Sequence, residues 1–330
     1  MNLKTLKYLG AVVLLLGAMS IFIEVRDRNA STGGDELLFP DLKEKINDVT
    51  ELHISRSGET EPVVLKKSSG RWTVAGRDNY PADFGNVRAV LLAIAEAAVI
   101  EKKTANPEMH GRLGLAAPDV AGSDGVLVEL SGEGLDFRVI LGNTASTGSR
   151  YARIADQAQS WLINKDPKIP DAADGWLLAD LLDIQKANIQ QVTIDHDDGE
   201  SIRISKETAD DLNFTVSDIP EGRELSYATV ADGIAGALSG LTLEDVRLGE
   251  SMEAAVTTEF ITFDGLSVTI RLAGSGDDTW LSVAAGSTKE DQADAIAINE
   301  RVEGWQFKIP KFKAGLLTRR WEDILQAMDK

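Results

Sequence analysis

One stretch of this chain returns at long range, and that return restricts the possible folds more than any other feature. Residues 71–118 read R-W-T-V, N-Y-P-A-D-F, N-V-R-A-V-L-L-A-I-A-E-A-A-V-I-E and G-R-L-G-L-A-A-P. A blurred copy follows as N-F-T-V at 213–216, L-S-Y-A-T at 225–229 and a second small-residue, apolar run after it. Other landmarks pair in the same way. I-Q-Q-V-T-I-D at 189–195 matches V-T-E-L-H-I-S at 49–55, and the Trp305 and Trp321 segments match those of Trp161 and Trp176. The period is far longer than the ~20–50 residues of a solenoid unit, so the pattern reads as a duplicated module.

Each copy has a legible local plan. Residues 49–55 alternate as a strand, Gly58 turns the chain, 62–66 returns it, and 71–75 adds a third strand. Pro81 breaks the pattern, and Asp83 is placed as the N-cap of a helix. Val87, Val90, Leu91, Ile94 and Ala98 recur at helical spacing and predict one buried stripe. Further strands are expected at 126–130, 137–141, 151–154 and 161–164, with a short closing helix from Asp174. The second half predicts strands at 202–205, 214–217, 259–263, 268–272, 280–283 and 305–309. It also predicts a helix at 227–238 and another at 290–302, the latter burying Ala295, Ile296, Ile298 and Val302. The expected fold class is α+β: two tandem, duplicated modules of mainly antiparallel sheet with covering helices, at 39–186 and 187–330. Trp72, Trp161, Trp176, Trp305 and Trp321 are expected as core anchors, whereas Trp280 has no matching station.

The N-terminus carries a different signal. Residues 8–23 are apolar without a charge, Lys4 and Lys7 precede them, and Glu24, Arg26, Asp27 and Arg28 follow. With its flanks, 6–25 approaches the ~20 residues that span a bilayer. Ala18-Met19-Ser20 is a poor cleavage site and lies inside the run. Residues 1–28 therefore read as a cytoplasmic stub and an uncleaved transmembrane signal anchor. A short spacer at 29–38 follows, and the positive flank places the rest outside the cytoplasm. The expected location is the bacterial inner membrane, single-pass, with the C-terminal bulk periplasmic.

Composition narrows the function classes. A net charge of −19 over 330 residues opposes nucleic-acid binding. The absence of cysteine removes disulfides, thiolate metal sites and a cysteine nucleophile. His53, His110 and His196 lack partners at metal-ligand spacing. The acidic run Asp195–Glu200 puts Glu200 where an EF-hand requires glycine, so it reads as a hairpin turn; 274–278 reads as a second acidic turn. There is no P-loop, no G-x-S-x-G elbow and no S-x-x-K of the penicillin-binding type. No catalytic, cofactor or metal residue is assigned from the sequence, and no cofactor is expected.

The order of R-W at 71–72, Y-P-A-D at 80–83, G-L-x-x-P at 114–118, L-G-N at 141–143, Y-A-R at 151–153, W-x-F-x-I-P at 305–310 and W-E-D-I-L at 321–325 resembles a bacterial domain-of-unknown-function family. Members of that family are encoded beside ABC-2 transporters of the gliding-motility (Gld) type. The resemblance implies a membrane-tethered accessory protein, not an enzyme, partnered by an ABC-type permease and its ATPase. Two other readings stay open. One is a module binding an envelope glycan or lipid without a transporter, with the cleft between modules as the expected seat and Trp280 and the acidic turns nearby. The other is a carboxylate-dependent hydrolase.

Overall fold

The computed structural model describes residues 36–146, 148–249, 252–274, 276–290 and 292–327. The expected stub, the anchor at 6–25 and the spacer up to residue 35 lie outside the described residues. Among the described residues no helix is long and apolar enough to cross a membrane. The chain is mainly antiparallel β, in two large sheets with several short helices. It divides into two compact units, the first ending at Trp176 and the second beginning at Leu177.

In the first unit the strands are β1 (Val49–Ser55), β2 (Val63–Ser68), β3 (Arg71–Val74), β4 (Tyr80–Pro81), β5 (Val99–Lys102), β6 (Val126–Gly132), β7 (Leu135–Ser146), β8 (Ser149–Ile154) and β9 (Ser160–Ile163). They form one nine-stranded sheet in the order β4-β3-β2-β1-β6-β7-β8-β9-β5. Alternation in β1 buries Val49, Leu52 and Ile54, and β6 answers with Val128 and Leu130. Each such side chain, fully buried, contributes about 1.5–3 kcal/mol. Helix α1 (Phe84–Ala95) lies between β4 and β5 in the chain. Asp83 caps it as expected, its Oδ1 accepting from the Asn86 amide at 3.1 Å. Val87, Val90, Leu91, Ile94 and Ala95 form the buried stripe. Ala98 is buried too, but beyond the helix end, in a bridge to Leu37. Residues 99–102 look like a continuation of the helix in sequence; pairing with β9 makes them a strand instead.

The second unit holds β10 (Asp180–Leu182), β11 (Ile189–His196), β12 (Ser201–Ser205), β13 (Thr215–Val216), β14 (Arg223–Leu225), β15 (Leu241–Thr242), β16 (Asp245–Leu248), β17 (Val256–Thr262), β18 (Leu266–Ala273), β19 (Trp280–Ser287), β20 (Trp305–Lys308) and β21 (Leu325–Ala327). Its large sheet runs β13-β12-β11-β17-β18-β19-β20-β16. Taken from β3 to β5 and from β13 to β16, the two sheets follow one strand order. In each, a helix comes between those two strands along the chain. Residues 177–186 go with the second unit because β10 pairs with β15; the sequence reading places the boundary after 186.

The helices of this unit depart from expectation. Helix α2 (Val230–Ala235) is shorter than 227–238, because Gly233 and Gly236 lower its propensity and Thr229 supplies no side-chain cap. Helix α3 (Ala293–Val302) buries Ala295, Ile298 and Val302. Ile296 is 54% exposed, since it falls off the 3.6-residue stripe those three define. Helix α4 (Lys311–Leu317) follows Pro310 and is not foreseen from the sequence. It carries the lysine that closes the far end of α2. Lys313 Nζ donates to the carbonyls of Ala237 at 3.0 Å and Ser239 at 2.6 Å, with Gly236 at 3.4 Å.

The tryptophans also need correction. Trp72 and Trp176 are core residues. Trp161, Trp305 and Trp321 are only half-buried. The first two share a strand face with the buried Ile163 and Phe307, but each pairs with the exposed end of an edge strand, Lys102 or Leu248, where cover is thin; the third starts an exposed helical turn.

Candidate functional site

The first unit has a cavity of about 650 Å³ at one end of its sheet. It is walled by the residue following β1, the start of β6, the β7–β8 arm and the irregular segment after β9. Two arginines shape it. Arg56 leaves the end of β1 and donates from Nη2 to the carbonyls of Ile169 at 3.2 Å and Pro170 at 2.9 Å. Arg150, on β8, donates from Nε to Gly142 O at 2.6 Å and from Nη1 to Pro167 O at 3.0 Å. These bonds hold the segment 166–171 across the cavity.

Charge compensation in this cavity is loose. Arg56 Nη2 lies 3.7 Å from Asp171, whose carboxylate is solvent-exposed, and Arg150 Nη1 lies 3.6 Å from the buried Asp166 carboxylate. Asp166 is shared with Lys168 at 2.5 Å and with the Thr144 hydroxyl at 3.4 Å. Arg56 Nη1 is buried and has no hydrogen-bond partner. The Arg150 pKa is lowered, chiefly by burial; Asp166 opposes that shift and the nearby positive charge of Arg56 adds to it.

The second unit has a cavity of about 470 Å³ at the matching end of its sheet, lined by His196, Val256, Leu272, Thr279, Ala314 and Thr318 among others. The matching is set by register. Ser55 pairs with Leu127, and Asp195 pairs with Thr257, the second residues of β6 and β17. Arg56 and His196, one step on, therefore hold the same station. His196 Nε2 lies 3.1 Å from the Arg319 carbonyl, so it too reaches the segment after the last strand of its meander. Its Nδ1 is buried and without a partner. With Nε2–H donating, Nδ1 of the neutral ring is an acceptor.

The residues singled out by sequence fall in separate places. His53 is hydrogen-bonded to Glu51 at 3.0 Å on β1, and His110 is buried with Nε2 at 2.9 Å from Ala158 O. Neither lines these cavities. The acidic run 195–200 is a hairpin turn, with Gly199 N donating to His196 O at 3.0 Å. Its carboxylates hold Arg320: Asp198 Oδ2 at 2.8 Å and Glu200 Oε2 at 2.7 Å. The Glu200 backbone amide, and then Arg320, hold the Asp198 carboxyl below its ordinary range. Trp280 is under the Arg247 guanidinium at 4.0 Å, and its Nε1 donates to Asp278 at 3.0 Å. Among the described residues no three His, Asp or Glu side chains gather as a metal site.

Sequence reasoning does not single out Arg56 or Arg150, and the reason is physical: arginines on polar strand ends are common. A signal was nevertheless present. Counting on from the matched starts Val49 and Ile189 pairs Arg56 with His196. The short motifs also converge beside this cavity. A Cβ on Gly114, at φ +68°, would collide with the Asn143 side chain. Arg153 donates from Nε and Nη2 to Leu115 O at 3.4 and 3.2 Å. G-L at 114–115, L-G-N at 141–143 and R-Y-A-R at 150–153 thus form one corner.

Chemically, this arrangement can bind. The two serine hydroxyls of the first cavity serve the backbone: Ser57 donates to Val120 O at 3.1 Å and Ser123 to Ala116 O at 2.6 Å. Neither has a histidine beside it to act as base. Comparison with known proteins gives one family match: the model described as "Domain of unknown function (DUF4340)" matches residues 72–259. No curated protein matches, and no solved structure matches.

Proposed function

The chain belongs to the DUF4340 family of unknown function, and from that premise we propose that it is a non-catalytic accessory subunit of an ABC-type transport complex. In this reading, residues 6–25 anchor the chain in the bacterial inner membrane and the two β units stand on the periplasmic side. The permease and ATPase are its partners, and the link to gliding-motility-type (Gld) systems rests on the motif resemblance. The observation that carries the non-catalytic part is the use made of polar groups at the two cavities. Arg56, Arg150, His196 and Ser123 all reach backbone carbonyls, as side chains that hold loops do.

A second reading is favoured by a specific feature. The loosely compensated arginines of the first cavity suit a module that binds an envelope ligand without a transporter. A hydrolase receives no such support, because Asp166 is engaged by Arg150, Lys168 and Thr144. The deciding experiment is purification of the tagged full-length chain from its native membrane in mild detergent, followed by mass spectrometry. Recovery of a permease and an ATPase is the expected result. Recovery of the chain alone overturns the accessory reading in favour of the free binding module.

A further inference from the structure

We propose that the cavity of the first unit binds a small ligand through an oxyanion group, a phosphate or a carboxylate, taken up between Arg56 and Arg150. This deepens the view of the units as binding modules and rests on it.

Four observations carry the proposal. First, both guanidinium groups are oriented by neutral carbonyls, which fix their direction and leave their charge in place. Second, Arg56 Nη1 is buried without a partner, and a buried donor left unpaired is costly unless something supplies an acceptor. Third, the carboxylates do not fill that role. Asp171 and Asp124 are exposed to solvent, and Asp166 stands 3.6 Å from Arg150 while sharing its oxygens with Lys168 and Thr144. Fourth, Arg56 and Arg150 are close enough to repel, which depresses the Arg150 pKa on top of the effect of burial. An oxyanion between them relieves that repulsion and matches the fork of N–H donors that a guanidinium presents.

The matching cavity of the second unit has Lys311 and Arg320 in its lining but no pair of arginines facing one another from the two matching stations. His196 replaces Arg56 at the station, and Arg320 spends its Nη1 on Asp198 and Glu200. The site is therefore assigned to the first unit alone, and His196→Gln is its internal control.

The test uses the full-length chain in mild detergent. Phenylglyoxal modification of individual arginines is followed by peptide mass spectrometry, with inorganic phosphate, succinate, or vesicles of phosphatidylglycerol against phosphatidylcholine. Phosphate or succinate is expected to slow modification of Arg56 and Arg150 at least fivefold while leaving the exposed Arg71 unchanged. In direct titration, Arg56→Met and Arg150→Met are each expected to weaken binding at least tenfold, and His196→Gln to leave it unaltered. Where Arg56→Met fails to fold, Arg56→Lys keeps the charge and withdraws Nη1, and the protection assay needs no variant at all. Protection by phosphatidylglycerol vesicles without protection by either free anion assigns the oxyanion to a lipid headgroup. No protection by any probe, or equal protection of Arg71, overturns the proposal. Partner recovery is a separate readout: a chain that co-purifies with a permease yet shows no protection refutes this site and leaves the accessory reading standing.

Discussion

The two units share one strand order from β3 to β5 and from β13 to β16, and at the sheet end that holds the cavities they differ in the segment after the last strand of the meander. In the first unit, residues 164–172 run as an irregular segment, pinned by the carbonyl contacts of Arg56 and Arg150. In the second, residues 311–317 coil into α4, which carries Lys313 inward to close the end of α2. The same sheet end therefore has a cavity crossed by a loop that two arginines hold in one unit and one lined by a helix in the other. A repeated sheet supplies the frame, and the connection sets the chemistry, because a loop can change its side chains without disturbing the ladder beneath it.

The largest test of this comparison is in the first core. Trp176 is fully buried, and Trp176→Ala is expected to cost about 3–5 kcal/mol in urea unfolding. Hydrogen exchange should quicken in β1–β3 and hold in β11, β17 and β18; equal loss in both would erase the division into two units. Next comes the motif corner. Gly114→Ala places a Cβ at a left-handed φ and against Asn143, with an expected cost of about 2–3 kcal/mol. A neutral result in the same assay would mean that the corner yields freely.

A smaller effect is expected in the second unit. Lys313→Met leaves the carbonyls of Ala237 and Ser239 unpaired while removing a charge that burial already disfavours, so the loss should be about 1–2 kcal/mol. Exchange of the α2 amides reads it directly, and unchanged exchange there would show that the helix end needs no cap. The smallest effect belongs to the Arg320 clamp. The folded Asp198 carboxyl is held below 3.8, so its stabilisation is present above that pH and is lost as pH falls through the lower folded value. Arg320→Gln should make the acid unfolding curve of the second unit shallower below pH 3.8. An identical curve would show that the clamp is idle.

Much of the frame is legible without coordinates. The strand β1 has the expected bounds, and β11 runs only one residue past them, to His196, because period-two alternation is local information. Asp83 caps its helix for the same reason: the bond to Asn86 spans three residues. The edge strands β5 and β16 are not legible, since their only reason to extend is pairing with β9 and β20, far along the chain. The half-exposed Trp161, Trp305 and Trp321 teach the same point. Large apolar size marks a residue for contact, but only its place in the fold, here beside the end of an edge strand or on an outer turn, decides how much of it is covered.

The site divides along the same line. The capped helix, the acidic turn at 195–200 and the lack of any familiar catalytic motif are matters of short spacing, and the repeat is a matter of like segments in like order; all are readable from the chain as written. That Arg56 and Arg150 meet at one cavity, and that His196 holds the matching place, emerges only on folding. Those groups are brought together by strand register and by the path of the chain after β9 and β20, and neither is encoded within reach of any one residue.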